Sequence, residues 1–356
     1  MIQATARDEC TWDVWRLLDA AAAAGASDLH LSAGEAPRLR VDGALRPLAG
    51  AAAMDAGSVK AALGALMTPA QAEQLAVSGD LDFAWQGGRA AGRLRVNVFR
   101  QARGPAAVLR RIPGAVPALA DIGAPPLLGR LARLEEGLVL VSGATGSGKS
   151  TTLAALVDAI NGMRDAHILT LEDPVEFVHV SRRSLVSQRE VGRDTASFVT
   201  ALRAALREDP DVLLVGELRD LETVRLALAA AETGHLVLAT LHTRGAASAV
   251  DRLIGCFPPG ERELARGSLA ASLAAVVCQR LLPRAGGGRV AAHEVLVATP
   301  AVRNLIRESR LSQLESVMQT GQDSGMQTFA QALARLRQES LLNPGATGDS
   351  ILPSAF

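Results

Sequence analysis

The pattern of apolar positions changes character once along the chain. In the first third it is mixed. Trp12, Trp15, Leu18 and Ala22 recur at helical spacing. Segments 28–32 (Asp-Leu-His-Leu-Ser) and 38–42 (Arg-Leu-Arg-Val-Asp) alternate polar and apolar residues, which predicts half-buried strands with Asp42-Gly43 as a hairpin turn. Helices are expected over 53–66 and 69–75, and further strands over 81–85, 93–99 and 106–110. From residue 137 onward the strands become continuously apolar, at 137–142, 168–171, 212–215 and 236–239. Helical patterns over 151–163, 197–207 and 220–232 separate them, and that alternation predicts a parallel sheet covered on both faces. The remainder reads as helix over 260–282, 301–311 and 326–339, with a frayed tail from Asn343. Pro113, Pro117, Pro125 and Pro126 cluster between the two patterns. The expected organisation is therefore a small α+β domain over 1–112, a linker over 113–126 and an α/β domain over 127–356.

Composition narrows the function classes. Of 356 residues, 48% are hydrophobic and 21% charged, which is ordinary for a globular chain with a real core. Formal net charge is zero and aromatics are only 3%, with no Tyr, so neither a basic field nor stacking platforms argue for nucleic acid. Cys10, Cys256 and Cys278 form no C-x-x-C pair, which leaves out a zinc ribbon or redox dithiol and fits a reducing compartment. Asp8, Glu9 and Asp13 near the N-terminus do not make a signal pattern, and no apolar run reaches membrane-spanning length. A cytoplasmic protein is expected.

The chemistry centres on Gly143-Ala-Thr-Gly-Ser-Gly148-Lys149-Ser150, a P-loop that follows an apolar strand and precedes a helix. Backbone N–H groups of such a loop wrap a polyphosphate at the positive end of the helix. Lys149 is placed to reach the β- and γ-phosphates and Ser150 to sit on Mg²⁺. Two acidic clusters end apolar strands, Glu172-Asp-Pro-Val-Glu176 and the Walker-B-like run ending in Gly216-Glu217. Both would converge near the γ-phosphate, since ligands of open parallel sheets sit beyond the carboxyl ends of the strands. Gly216 stands where such a strand often presents Asp, so Ser150 and waters would carry the metal. His235 and His242 bracket the strand near 236–240. His242, past its end, is in the place of a γ-phosphate sensor, although single histidines are as often satisfied core or surface groups. Arg93, Arg95, Arg103, Arg110 and Arg111 decorate the last strands before the linker, either as a solvated face or as guanidiniums offered to phosphate.

Further blocks carry a resemblance. They are Gly25-Ala-Ser-Asp-Leu-His-Leu-Ser-Ala-Gly34, the P-loop, Glu172 to His179, Ser187-Gln-Arg-Glu-Val191, 201–210, 230–235, Thr240-Leu-His-Thr243, 288–294 and Ala301-Val-Arg-Asn-Leu-Ile-Arg-Glu308. Nearly the whole chain resembles the PilT-type ATPases that retract bacterial type IV pili, within the secretion ATPase superfamily. The last two blocks resemble the signature of its retraction branch. The resemblance implies a PAS-like N-terminal domain, a RecA-like ATPase domain with a helical C-terminal part, and a ring-shaped homohexamer. It implies ATP and Mg²⁺ as cofactors, and an inner-membrane platform protein of the pilus machinery as partner. The nucleotide set it implies runs through Gly143, Ala144, Thr145, Gly146, Ser147, Gly148, Lys149, Ser150 and Thr151, with His235. The catalytic set is Glu176, Glu217 and His242, with Arg95 and Arg110 reaching the nucleotide from the N-terminal domain. The amphipathic stretch with Val302, Leu305 and Ile306 against Arg303, Asn304, Arg307 and Glu308 is expected to serve the retraction machinery.

Rival readings are a PilU-like accessory motor, an extension or type II secretion ATPase, a DNA-translocating ring and a nucleotide-switched scaffold. Assembly enzymes of that superfamily typically carry a tetracysteine zinc site, which Cys256 and Cys278 cannot build. Neutral charge weighs against DNA, and the intact Lys149, Glu176 and Glu217 weigh against a scaffold.

Overall fold

A computed structural model describes residues 13–41, 43–86, 92–112 and 114–342. The readings made on Asp8, Glu9, Cys10, Trp12, Asp42, Pro113 and the tail from Asn343 lie outside the described residues. The chain divides into two compact units, Met1–Gly114 and Ala115–Phe356.

The N-terminal unit is an antiparallel sheet with helices. Its strands are β1 (Asp28–Ser32), β2 (Arg38–Val41), β3 (Ala44–Pro47), β4 (Asp80–Gln86), β5 (Arg93–Gln101) and β6 (Gly104–Ile112). They lie in the order β3-β2-β1-β6-β5-β4. Helices α1 (Val14–Ala23), α2 (Ala56–Gly64) and α3 (Pro69–Ser78) complete it. Asp13 starts α1 by accepting from the Trp15 N–H at 3.0 Å, which satisfies one of the orphan donors of the first turn. The buried stripe of α1 is Val14, Leu17, Leu18 and Ala21, with Trp15 half-buried beside Trp85, ring centroids 4.9 Å apart. Leu29, Leu31, Leu94, Val96, Val98 and Leu109 supply the sheet side of the core, at every second strand position.

In the second unit α4 (Pro126–Leu131) opens the described helices, so Pro126 is the first residue of a helix rather than part of a linker. There follow β7 (Gly137–Ser142), α5 (Lys149–Met163), β8 (His167–Glu172), β9 (Leu185–Glu190), α6 (Phe198–Ala205), β10 (Val212–Val215), α7 (Leu221–Glu232) and β11 (Leu236–Leu241). Next come α8 (Ala246–Gly255), α9 (Arg262–Ser272), β12 (Leu273–Pro283), β13 (Arg289–Val297), α10 (Pro300–Arg307), α11 (Leu314–Thr320) and α12 (Phe329–Gln338). The strand order is β13-β12-β7-β11-β10-β8-β9. All neighbours pair in parallel except β13, which runs antiparallel to β12. Strand alternation splits the core in two. Leu138 and Leu140 face a cluster with α6 to α10, whereas Val139 and Val141 face α4 and α5.

Two expectations are corrected here. Segment 260–282 is not one helix: α9 ends at Ser272 and β12 begins at Leu273. Both faces of β12 are covered, so its apolar run shows no alternation, and periodicity alone cannot separate such a strand from a helix. The apolar face of α10 is also not a free surface, because Val302, Leu305 and Ile306 belong to the central core cluster. Strands β9 and β13 and helices α4, α8 and α11 have no counterpart among the segments expected from the sequence.

His293 on β13 is fully buried, and neither ring nitrogen has a hydrogen-bond partner. Burial, then the nearby Arg335 charge, push its pKa down to about 4. An unfolded chain binds that proton near pH 6.5. Its contribution is therefore present in full above pH 6.5 and is lost as pH falls through 4, by about 3 kcal/mol in all. Replacing His293 by Leu is expected to flatten this acid limb in urea titrations between pH 7 and 4. An unchanged limb would assign it to other groups.

Candidate active site

The site forms where the parallel strands end. β7 delivers the loop 143–148, whose glycines adopt conformations that side chains resist: φ is +150° at Gly143, +75° at Gly146 and +89° at Gly148. Helix α5 begins directly at Lys149, and no side chain caps it, so its first N–H groups are available to a ligand's oxygens. Lys149 is buried, and its Nζ donates to the carbonyls of Gly143 (2.9 Å) and Ala144 (3.1 Å). Burial lowers its pKa, while the charges of Glu217 and Glu176 oppose that shift. The Ser147 hydroxyl is buried in the loop without a hydrogen-bond partner. A glycine cradle, a free helix start, a buried lysine and an orphaned hydroxyl fit a polyphosphate.

The acidic groups divide by their partners. Glu172 is held by the Thr170 hydroxyl (2.7 Å) and the Gln188 amide (3.2 Å), and burial raises its pKa. Gln188 also donates to Phe177 O at 2.8 Å and accepts from His179 N at 2.8 Å, while Glu190 accepts from Val175 N at 3.1 Å. Strand β9 thus clamps the loop that carries Glu176. Glu217 accepts from Arg219 Nε at 2.8 Å and lies 3.4 Å from His242 Nε2. Partial burial first, then the Lys149 charge, lower the His242 pKa, so the imidazole is neutral near pH 7. A Cβ on Gly216 would meet Leu171 O at 3.1 Å and the Phe198 ring at 3.4 Å, which accounts for glycine there.

Three positioning groups escaped the sequence reading. Ser142 Oγ accepts from Thr243 N at 3.0 Å and lies 2.7 Å from Thr243 Oγ1, fastening the segment after His242 to the end of β7. Glu294 accepts from Ala246 N at 2.7 Å, anchoring the start of α8 just beyond. Gln279 presses on the P-loop from β12. The first two are ordinary polar residues whose roles depend on strand order alone.

His235 is a correction. The register pairs Leu236 with Gly137 and Leu241 with Ser142, so His235 lies at the opposite strand end from the P-loop. Its Nδ1 instead contacts Ala230 O at 3.0 Å and Thr233 Oγ1 at 3.3 Å, in the turn after α7. The structure brings Lys149, Glu176, Glu217 and His242 together, and leaves His235 out.

Arg95 and Arg110 belong to the N-terminal unit. They stand directly opposite each other across β5 and β6, in a row that continues through Asp28 to Arg40. Asp82 takes Arg95 at 2.6 Å, and the buried Asp28 accepts from Arg110 Nε at 2.7 Å.

Fold and site together define a P-loop ATPase with a RecA-like α/β core. A family model described as type II/IV secretion system protein matches residues 9–341, and the chain belongs to that family. It is 49% identical over 331 residues to the type IV pilus retraction ATPase PilT of Pseudomonas aeruginosa, covering 93% of this chain and 96% of that one. It is 51% identical over 311 residues to a twitching motility protein of Neisseria gonorrhoeae, covering 87% and 83%. Among solved structures, the pilus retraction motor PilT with bound ADP aligns with a TM-score of 0.86 and 44% identity, over 93% of this chain and 95% of that one. Among the described residues, no helix is long and apolar enough to cross a membrane.

Proposed function

We propose that this ATPase is the motor that shortens type IV pili and so drives twitching motility. The observation that carries the reading is similarity along nearly the full length of both chains to a retraction ATPase, with Lys149, Glu176, Glu217 and His242 grouped beyond the ends of the parallel strands. In this reading the protein works as a homohexameric ring in the cytoplasm, at the inner-membrane base of the pilus, against a platform protein.

The chain's residues would divide the chemistry as follows. The loop amides of 143–148 and Lys149 hold the phosphates. Ser150 and water would hold Mg²⁺, a hard cation suited to a hydroxyl and phosphate oxygens. When bound, the metal would supply neutralisation of the charge that develops on the phosphates. Glu176 orients and deprotonates the attacking water, and Glu217 holds His242 toward the terminal phosphate. Arg95 and Arg110 face each other across β5 and β6, and Asp82 and Asp28 respectively balance their charges.

Deleting the gene is expected to leave cells with abundant pili that do not retract. Loss of pili altogether would instead assign the protein to extension. Purified wild-type protein is expected to release phosphate from ATP, and absence of turnover would remove the motor reading.

A further inference from the structure

Beyond the residues that touch nucleotide, one strand residue contacts the P-loop at both ends. Strand β12 runs parallel to β7, with Cys278 opposite Ser142, so Gln279 is carried one step further to lie beside Gly143. Its backbone carbonyl lies so close to Gly143 that a Cβ there would overlap it. Its side-chain Nε2 would be 2.7 Å from a Cβ on Gly148. Its Oε1 accepts from the Thr152 hydroxyl at 2.7 Å, one turn into α5. Thr152 is fully buried and Gln279 is 4% exposed, so water does not compete for this bond.

Gln279 stands directly opposite His293 across β12 and β13, and both ring nitrogens of His293 lack a hydrogen-bond partner. The amide oxygen of Gln279 is bonded to α5. One residue therefore abuts the first and last glycines of the loop and ties down the helix that follows.

We infer that Gln279 is a positioning residue of the nucleotide site, holding the P-loop and the start of α5 in phosphate-binding geometry through Thr152. It touches no reacting atom. Its effect is on how well the loop amides and Lys149 are aligned before ATP arrives. This inference rests on the P-loop being the ATP site. It also gives β12 a function: the strand that joins the C-terminal helices to the sheet sets the shape of the phosphate cradle.

The test separates positioning from packing. Loss of a preformed cradle weakens ground-state binding, so Gln279→Leu is expected to raise KM for ATP about tenfold and to lower kcat by less than about threefold. Thr152→Val removes the same bond from the other side and should do likewise, whereas Thr152→Ser keeps the hydroxyl and should restore the wild-type KM. The double variant Thr152→Val/Gln279→Leu leaves no buried polar group of the pair unsatisfied, so its melting temperature should recover toward wild type. Its KM should remain raised. A KM that returns to wild type in the double variant, or single variants that lose melting temperature and kcat at unchanged KM, would overturn the inference. Absence of ATP turnover in the wild-type chain would overturn the motor reading together with it, whereas turnover with an unchanged KM in Gln279→Leu overturns the inference alone.

Discussion

Glu176→Gln is expected to lower kcat for ATP hydrolysis by about 10²–10⁴-fold while ATP affinity changes by less than about threefold. The substitution keeps the shape and removes the charge and the proton-accepting oxygen. Glu172, Glu176 and Glu217 lie near the ends of β8 and β10, and their surroundings rank them. Glu172 is engaged by Thr170 and Gln188, so its oxygens are committed to bonds within the protein and it serves as a strut. Glu217 already carries Arg219 and His242. Glu176 shares neither arrangement, and its charge, like that of Glu217, acts on Lys149. Phosphate release measured beside the binding of a fluorescent ATP analogue checks the assignment. If Glu172→Gln abolished turnover and Glu176→Gln did not, the base would be Glu172.

What could be read in advance follows from which physical signals are local. The P-loop is local: glycine spacing, a buried strand before it and a lysine opening a helix are all written within one short stretch. Glu176, Glu217 and His242 were legible because each follows the end of an apolar strand, and parallel strands bring such ends together. His235 owed its place in the nucleotide set to the resemblance alone, and as a residue before a strand it lies at the other edge of the sheet. Gln279 was invisible because its role depends on β12 lying next to β7, a neighbour remote in sequence. The alanine-rich start of that strand also reads as helix when both faces are covered. The arginine row could be suspected from alternation, but the direct opposition of Arg95 and Arg110 required the register.

Helix α10 illustrates the same limit and gives the second large effect. Thr299 caps it at Val302 N and Pro300 opens it, as the sequence suggests. Its apolar face, however, lies in the protein's own core: Val302 and Ile306 are fully buried and Leu305 is 9% exposed. Leu305→Ala and Ile306→Ala are each expected to cost about 2–5 kcal/mol through lost contacts and the cavity left behind. Together they approach the whole stability of an ordinary domain, about 5–15 kcal/mol. The double variant should therefore melt far below wild type and lose ATP binding as well as motility, so lost twitching in it says nothing of a partner. The residues able to meet one are Asn304, Arg307 and Glu308 on the exposed face. Asn304→Ala and Arg307→Ala should keep the melting temperature and ATP turnover of the wild type. Twitching lost in these variants while turnover persists would place the pilus machinery against the polar face of α10. Full motility in both would remove that surface from the mechanism, and a double core variant that still bound ATP with an unchanged melting temperature would contradict the packing described for Leu305 and Ile306.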